Sequence, residues 1–296
     1  MENMTAKVSC FARAYHYRNK KNWIFKDDKA GDILGEKEYQ MIAEHMTQGI
    51  QFFQPDFNGT KEEALRVIVD QQLSPSILAR SAFCERHLEN EMKLGCRQYL
   101  ILAAGYDTYA LRVKQPELTV YHLDLEEMIA DRKQRMEMKQ LKYQTKAYDI
   151  SCDLSKEQIK DKLLLYGYRQ EQKTYVSLLG INYYLTKDEF RRLLEQLTSI
   201  MPEGSAICMD YPQVEDGEES RKNRELAKAA EEGMKAKYEK QEIEEILNKH
   251  GFLVYEHLDD QEMTKQYFEL YNKKNINCEM KAPKGVGYLL AVKKKR

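Results

Sequence analysis

The residues of this chain that can do chemistry fall where short apolar runs end. In Tyr99–Arg112, YLILAAGYDTYALR, an apolar run breaks at Gly105, and Asp107, Thr108 and Arg112 follow at once. Glycine at such a break lets the backbone approach a ligand closely. The helix N-terminus that follows favours an anion nearby. Asp124 closes the next run, YHLDL, 19 residues after Gly105. A separation of about 20 residues is expected of an acidic residue that grips ribose hydroxyls in a nucleotide-binding sheet, since its two oxygens suit two adjacent donors. A helix-capping aspartate reads equally well there, and the two roles are compatible. Asp153, in AYDISCDL, follows a possible third strand. It is placed either to accept from the exocyclic amine of a purine or to cap a helix starting near Ser155.

Two further strand ends complete the set. Ser177-Leu178-Leu179-Gly180-Ile181-Asn182-Tyr183-Tyr184-Leu185 opens from an apolar run into a glycine and two tyrosines. Met209-Asp210-Tyr211-Pro212 ends another run and suits a substrate-facing wall. Tyr183, Tyr184, Tyr211 and Asp210 are therefore candidate substrate contacts, with Tyr15, His16 and Tyr17 joining them from the N-terminal region. Tyrosine offers apolar area with a polar tip and serves cores and pockets alike.

Stepping from these residues to what must hold them, residues 1–95 read as a helical cap. Pro75 fits the first turn of a helix that continues through Ile77, Phe83 and Leu88, with Ser74 as its cap. From residue 96 to 296, apolar runs at Tyr99–Ala103, Val120–Leu125, Thr174–Leu179, Ser205–Met209, Phe252–Tyr255 and Gly287–Val292 alternate with amphipathic stretches. Phe190, Leu193, Leu194 and Leu197 form one helix face. Ile243, Ile246 and Leu247 form another, stopped by Gly251. This alternation predicts an α/β fold, a doubly wound and mostly parallel sheet of Rossmann-like type. It places an antiparallel strand at one edge and a helical insertion near residues 212–240. Ligands in such sheets lie past the carboxyl ends of the strands, where the strand order reverses.

Composition narrows the classes. Of 296 residues 32% are charged, yet the net charge is −1, which gives no electrostatic reason for a nucleic-acid partner. No apolar run approaches the roughly 18 residues of a membrane helix. Six cysteines without CxxC spacing read as reduced thiols of a cytoplasmic protein. Six histidines show neither HxH nor HExxH, so no metal site is expected. Oligomeric state is not legible.

The order and spacing of these motifs resemble the leucine carboxyl methyltransferase family, S-adenosylmethionine-dependent enzymes that include bacterial small-molecule O-methyltransferases. The family's Gly-Ala-Gly-x-Asp-Thr turn with a nearby arginine is similar to AAGYDTYALR, which puts Ala103 where glycine is expected. Its acidic second strand corresponds to Asp124-Leu125, its adenine-side pair to Asp153-Leu154, and its Glu-Gly-x-x-x-Tyr-Leu segment to Leu179-Gly180 through Tyr184-Leu185. Leu179 thus stands where the family carries glutamate. The resemblance implies that Arg80 in ILARSAF meets the cofactor's methionine carboxylate. It also implies that Arg13, with Asp27 or Asp28 and Ala30, belongs to the N-terminal signature. It implies O-methylation of a carboxylate or hydroxyl on a small molecule or a peptide C-terminus. Two other readings stay open. Tyr183-Tyr184-Leu185-Thr186-Lys187 contains the Tyr-x-x-x-Lys of nicotinamide-dependent oxidoreductases, although the G-x-G-x-x-G turn is absent. A non-catalytic binding protein keeping the fold is the third, supported by Ala103 and Leu179.

Overall fold

The computed structural model describes residues 3–214, 234–276 and 278–295. Its centre is a seven-stranded sheet in the order β3-β2-β1-β4-β5-β7-β6. The strands are β1 (Gln98–Leu102), β2 (Thr119–Asp124), β3 (Lys146–Ser151), β4 (Thr174–Leu178), β5 (Ala206–Pro212), β6 (Phe252–Leu258) and β7 (Val286–Lys293). The first five pair in parallel. β7 enters antiparallel between β5 and β6, which confirms reversed pairing at that edge. Each of the six apolar runs is a strand, and β3 is the seventh. The chain runs outward from β1 to β3 and then returns to β4 beside β1, so the switch point lies between β1 and β4.

The N-terminal helices are α1 (Met4–Asn19), α2 (Ala30–Leu34), α3 (Glu36–Gln48), α4 (Ile50–Phe53), α5 (Lys61–Val67) and α6 (Ser74–Lys93). A π-helical turn, Ile68–Leu73, runs straight into α6. Ser74 therefore sits within continuous helical backbone and does not cap α6, whereas Pro75 does occupy its first turn. Leu78, Phe83 and Leu88 of α6 share one buried core with Tyr99, Tyr175, Cys208 and Tyr288 of the sheet. On the same face as α6 lie α7 (Tyr109–Arg112) and α8 (Glu126–Met138), which also meet α1 and α2, and on the opposite face lie α9 (Ile159–Leu164), α10 (Lys187–Ile200) and α11 (Lys240–Lys249). Thr186 opens α10 with a capping box to Glu189. Phe190, Leu193, Leu194 and Leu197 are each at most 1% exposed, and burying each stabilises the fold by about 1.5–3 kcal/mol.

Most of the insertion expected near 212–240 lies outside the described residues. Pro212 ends β5, and residues 234–239 carry no helix. Between β6 and β7 the chain forms α12 (Asp260–Met263), a second π turn (Thr264–Phe268) and α13 (Glu269–Lys274). Among the described residues no helix is long and apolar enough to cross a membrane, and no cluster of histidine, cysteine and carboxylate side chains is arranged to hold a metal.

Candidate active site

The break after β1 is the floor of the site. Ala103 holds φ +55° and Gly105 φ +50°, a left-handed backbone that suits glycine and strains alanine. A side chain at Gly105 would meet the Ala6 methyl of α1 at 3.3 Å. Asp124, at the end of β2, fixes this turn: its Oδ2 accepts from the Gly105 N–H at 2.7 Å and its Oδ1 from the Leu125 N–H at 2.8 Å. These bonds leave lone pairs free on both oxygens. Burial raises the Asp124 carboxyl above its ordinary pKa, and the two backbone donors and Arg132 offset only part of that.

Below the turn lies a residue with no sequence signal. Arg132 of α8 is fully buried. Its Nη1 donates to the Gly105 carbonyl at 3.1 Å and the Asp107 carbonyl at 2.7 Å, and its Nε to Asp149 of β3 at 3.1 Å. In EEMIADRKQRMEM it reads as one more charge on a solvated face. Only the fold shows that it holds the turn from beneath.

Asp27 is the second hub. It is buried, whereas Asp28 is exposed, which decides between the two aspartates of the N-terminal signature. It accepts from Arg13 Nε and Thr108 Oγ1, both at 2.8 Å, and from the Ala30 N–H at 3.0 Å, and it pairs with Arg112 at 3.3 Å. Burial opposes its charge, but Arg112 and Arg13 outweigh it and keep the carboxyl below its usual value. Arg13 also donates to the Tyr106 carbonyl at 2.7 Å. Arg112 reaches Glu85 as well, whose carboxyl burial still pushes up to about 7.

The third hub is Asp210 at the end of β5. It does not face substrate; it is fully buried. Its Oδ1 accepts from the Gly180 N–H at 2.6 Å, and its Oδ2 from Tyr183 Oη at 3.2 Å and Arg80 Nη1 at 3.3 Å. Gly180, at φ +71°, lies against the Arg80 guanidinium, where any side chain would come within 2.6 Å of it.

These hubs shape two adjoining cavities. The first, about 620 Å³, is lined by Ala103, Gly105, Asp124, Leu125 and Leu179, and by the polar side chains of Arg13 and Arg80. The second, about 480 Å³, lies between α1, α3, the π turn and Tyr183, with mostly apolar walls. Both are lined by Thr5, Ser9, Arg80, Gly180 and Tyr184. A larger open groove between Asp260 and Lys284 shares no lining residue with either and contains none of these hubs.

Several expected contacts lie elsewhere. Tyr211 points to the opposite face of the sheet from Asp210, fully buried, with its hydroxyl 2.7 Å from His257 Nε2. Tyr17 stacks on Trp23 and lines neither cavity. Tyr15 is core, and buried His16 accepts from the Ile24 N–H at 3.0 Å. Asp153 and Leu154 also lie outside both linings: Asp153 bonds the N–H and hydroxyl of Ser155, and Leu154 packs on the core. The helix that follows begins at Ile159, so Asp153 caps a turn rather than a helix. The Tyr-x-x-x-Lys pair does not assemble either, for Lys187 pairs with Glu242 while Tyr183 pairs with Asp210.

With the geometry in view, comparison with known proteins is informative. The family model for leucine carboxyl methyltransferase matches residues 6–198. The chain is 35% identical over 304 aligned residues, 99% of its own length and 98% of the other's, to YktD of Bacillus subtilis (strain 168), provisionally named an S-adenosyl-L-methionine-dependent methyltransferase. Among solved structures, a DUF574-family protein from Streptomyces avermitilis superposes with a TM-score of 0.60 at 14% identity, covering 98% of this chain and 97% of that one. A protein from Thermobifida fusca YX, provisionally described as a methyltransferase, gives 0.53 at 14% identity, covering 98% and 94%. At such identities the two structures speak for the fold alone.

Proposed function

The chain belongs to the leucine carboxyl methyltransferase family and is an S-adenosylmethionine-dependent methyltransferase; from that premise we propose that it methylates a carboxylate or hydroxyl oxygen of a small molecule or a peptide C-terminus. One observation carries the reading. The polar cavity over β1 and the apolar cavity beside it adjoin along Arg80, Gly180 and Tyr184, so a donor in one faces an acceptor in the other.

The residues present fit the cofactor. Asp124 keeps acceptor capacity in the polar cavity, which ribose hydroxyls need. Arg80 and Arg13 supply cations in the same cavity for a methionine carboxylate. Leu125, half exposed at the rim, and Leu179 offer apolar area for the base and the thioether chain. When bound, the cofactor supplies an activated methyl group on a sulfonium. The protein's part is to position, align and exclude water. Gly180 allows close approach where a side chain would collide with Arg80, and α1 covers the turn.

Ligand-dependent thermal unfolding tests the reading. S-adenosylhomocysteine should raise Tm in a concentration-dependent manner and NADP should not. Stabilisation by NADP alone would return the oxidoreductase reading, and stabilisation by neither the non-catalytic one.

A further inference from the structure

Among the polar side chains of the mostly apolar cavity, Tyr183 is joined to a buried carboxylate. Tyr183 lines the cavity, 9% exposed, and its hydroxyl donates to Asp210, a carboxylate with no contact with solvent. The apolar part of the wall includes Val8, Ile42, Met46, Phe53, Ile77 and Val286, and His45, Gln72 and Ser76 also line it. A tyrosine hydroxyl that donates to a carboxylate still has lone pairs to accept with. It therefore offers an acceptor atom to the cavity, backed by a carboxylate that Arg80 pairs at 3.3 Å. A neutral hydroxyl can donate to that atom, whereas an ionised carboxylate has no proton to donate to it.

We propose that the methyl acceptor is an apolar molecule bearing a neutral hydroxyl, and that Tyr183 receives the hydroxyl proton and passes its own to Asp210. This rests on the methyltransferase reading above and chooses between the two oxygen acceptors it allows. The step balances. The acceptor's O–H bond breaks as its O–CH3 bond forms. The S–CH3 bond breaks with its electron pair left on sulfur. The acceptor's proton goes to the Tyr183 phenol oxygen, and the phenol's own proton goes to Asp210 Oδ2. The sulfonium's positive charge and the carboxylate's negative charge disappear together, leaving a neutral ether, a thioether and a carboxylic acid. A carboxylate is basic enough, because an oxygen gaining a methyl becomes far more acidic than the free hydroxyl as the transfer proceeds. Burial holds the Tyr183 phenol well above its ordinary pKa, with Asp210 adding to the effect, so the phenol conducts a proton rather than acting as a standing phenolate. Tyr183 is the catalytic residue here, and Asp210 acts through it.

The test uses a matched pair of probes, 2-naphthol and 2-naphthoate, titrated calorimetrically into the full-length protein saturated with S-adenosylhomocysteine. Naphthol should bind at least tenfold more tightly than naphthoate. Tyr183→Phe should remove most of that preference with S-adenosylhomocysteine affinity unchanged. In turnover with labelled S-adenosylmethionine, the same variant should lower kcat for naphthol by about 10²-fold or more, while an acceptor already ionised at the assay pH, 4-nitrophenol, should lose less than tenfold. Asp210→Asn should repeat the difference in turnover between the two acceptors. If the substitution at this buried position prevents folding, Tyr183→Phe decides alone. Naphthoate binding as tightly as naphthol, or equal losses on both hydroxyl acceptors, overturns the relay. Those outcomes leave the methyltransferase reading intact, whereas a wild-type protein that gives no heat with S-adenosylhomocysteine overturns that reading itself.

Discussion

Replacing Ala103 by glycine should cost little or no stability, although an alanine-to-glycine change in a folded chain ordinarily does. Ala103 sits at φ +55° and is half-buried. For an L-residue with a Cβ, that conformation costs about 1–2 kcal/mol. Glycine removes the strain but gives the unfolded chain freedom worth about 0.4–1 kcal/mol. Losing half the burial of one methyl costs about 0.4 kcal/mol more. The balance runs from about 0.4 kcal/mol against to about 1.2 kcal/mol in favour of Ala103→Gly, centred slightly in its favour. Its neighbour supplies the control. Ala104 is 6% exposed and outside the positive-φ region, so Ala104→Gly has no strain to relieve. It should lose about 1.5 kcal/mol from entropy and methyl burial together. Urea unfolding of both variants at one pH measures the difference directly, provided the slope m is unchanged. A loss at Ala103 equal to that at Ala104 would show that the turn is not strained and refute the argument. Affinity for S-adenosylhomocysteine should hold or improve in Ala103→Gly, because the methyl lines the cofactor cavity. A drop would mean that the methyl makes a favourable contact.

Three other outcomes follow from the same geometry. Asp124→Ala removes both the candidate ribose acceptor and the partner of the Gly105 N–H, and should weaken S-adenosylhomocysteine binding about 10–100-fold by calorimetry, since hydrogen bonds to a charged group contribute about 1.5–3 kcal/mol; unchanged affinity would sink the ribose assignment. Arg132→Met removes the guanidinium partner of Asp149, leaving it Tyr143 and His122, and strands two turn carbonyls, and chemical denaturation should show a loss of about 3 kcal/mol. His16 is fully buried, and burial, then Lys20, lowers its pKa from 6.5 to about 3. The unfolded chain therefore binds a proton in that window that the folded chain refuses. Stability present above pH 6.5 should be lost as the pH falls towards 3, at up to about 1.4 kcal/mol per pH unit from this residue. Denaturation midpoints at pH 7 and pH 5 for wild type and His16→Gln should reveal that contribution as a shallower pH dependence in the variant.

Much of the framework was legible because strands and helices write their periods into the chain. The six apolar runs became six strands, and the Phe190 and Ile243 faces became α10 and α11. The region between β6 and β7 showed no helix face for a physical reason. Its buried residues Met263, Phe268 and Tyr271 flank or end a π turn, whose wider winding breaks the i, i+3, i+4 spacing. The π turn before α6 hid the helix start in the same way and made Ser74 look like a cap. β3 was faint because, as an edge strand, it is largely half-buried.

The sequence by itself determined the α/β alternation, the glycine break after β1 and the acidic residue 19 positions on. Each is a local property, set by the backbone freedom of one residue or the period of a few. Which side chains converge was decided only by the tertiary structure. Alternation along β5 sends Asp210 towards Arg80 and Tyr183 and sends Tyr211 to the other face, to His257. Burial turns Arg132 from one charge among many into the support of the turn after β1. A carboxylate or guanidinium reads the same in a sequence whether solvated or buried. Its chemistry depends on the partners and the water around it, and residues such as Arg80 and Asp210, 130 positions apart, meet only when the sheet brings them together.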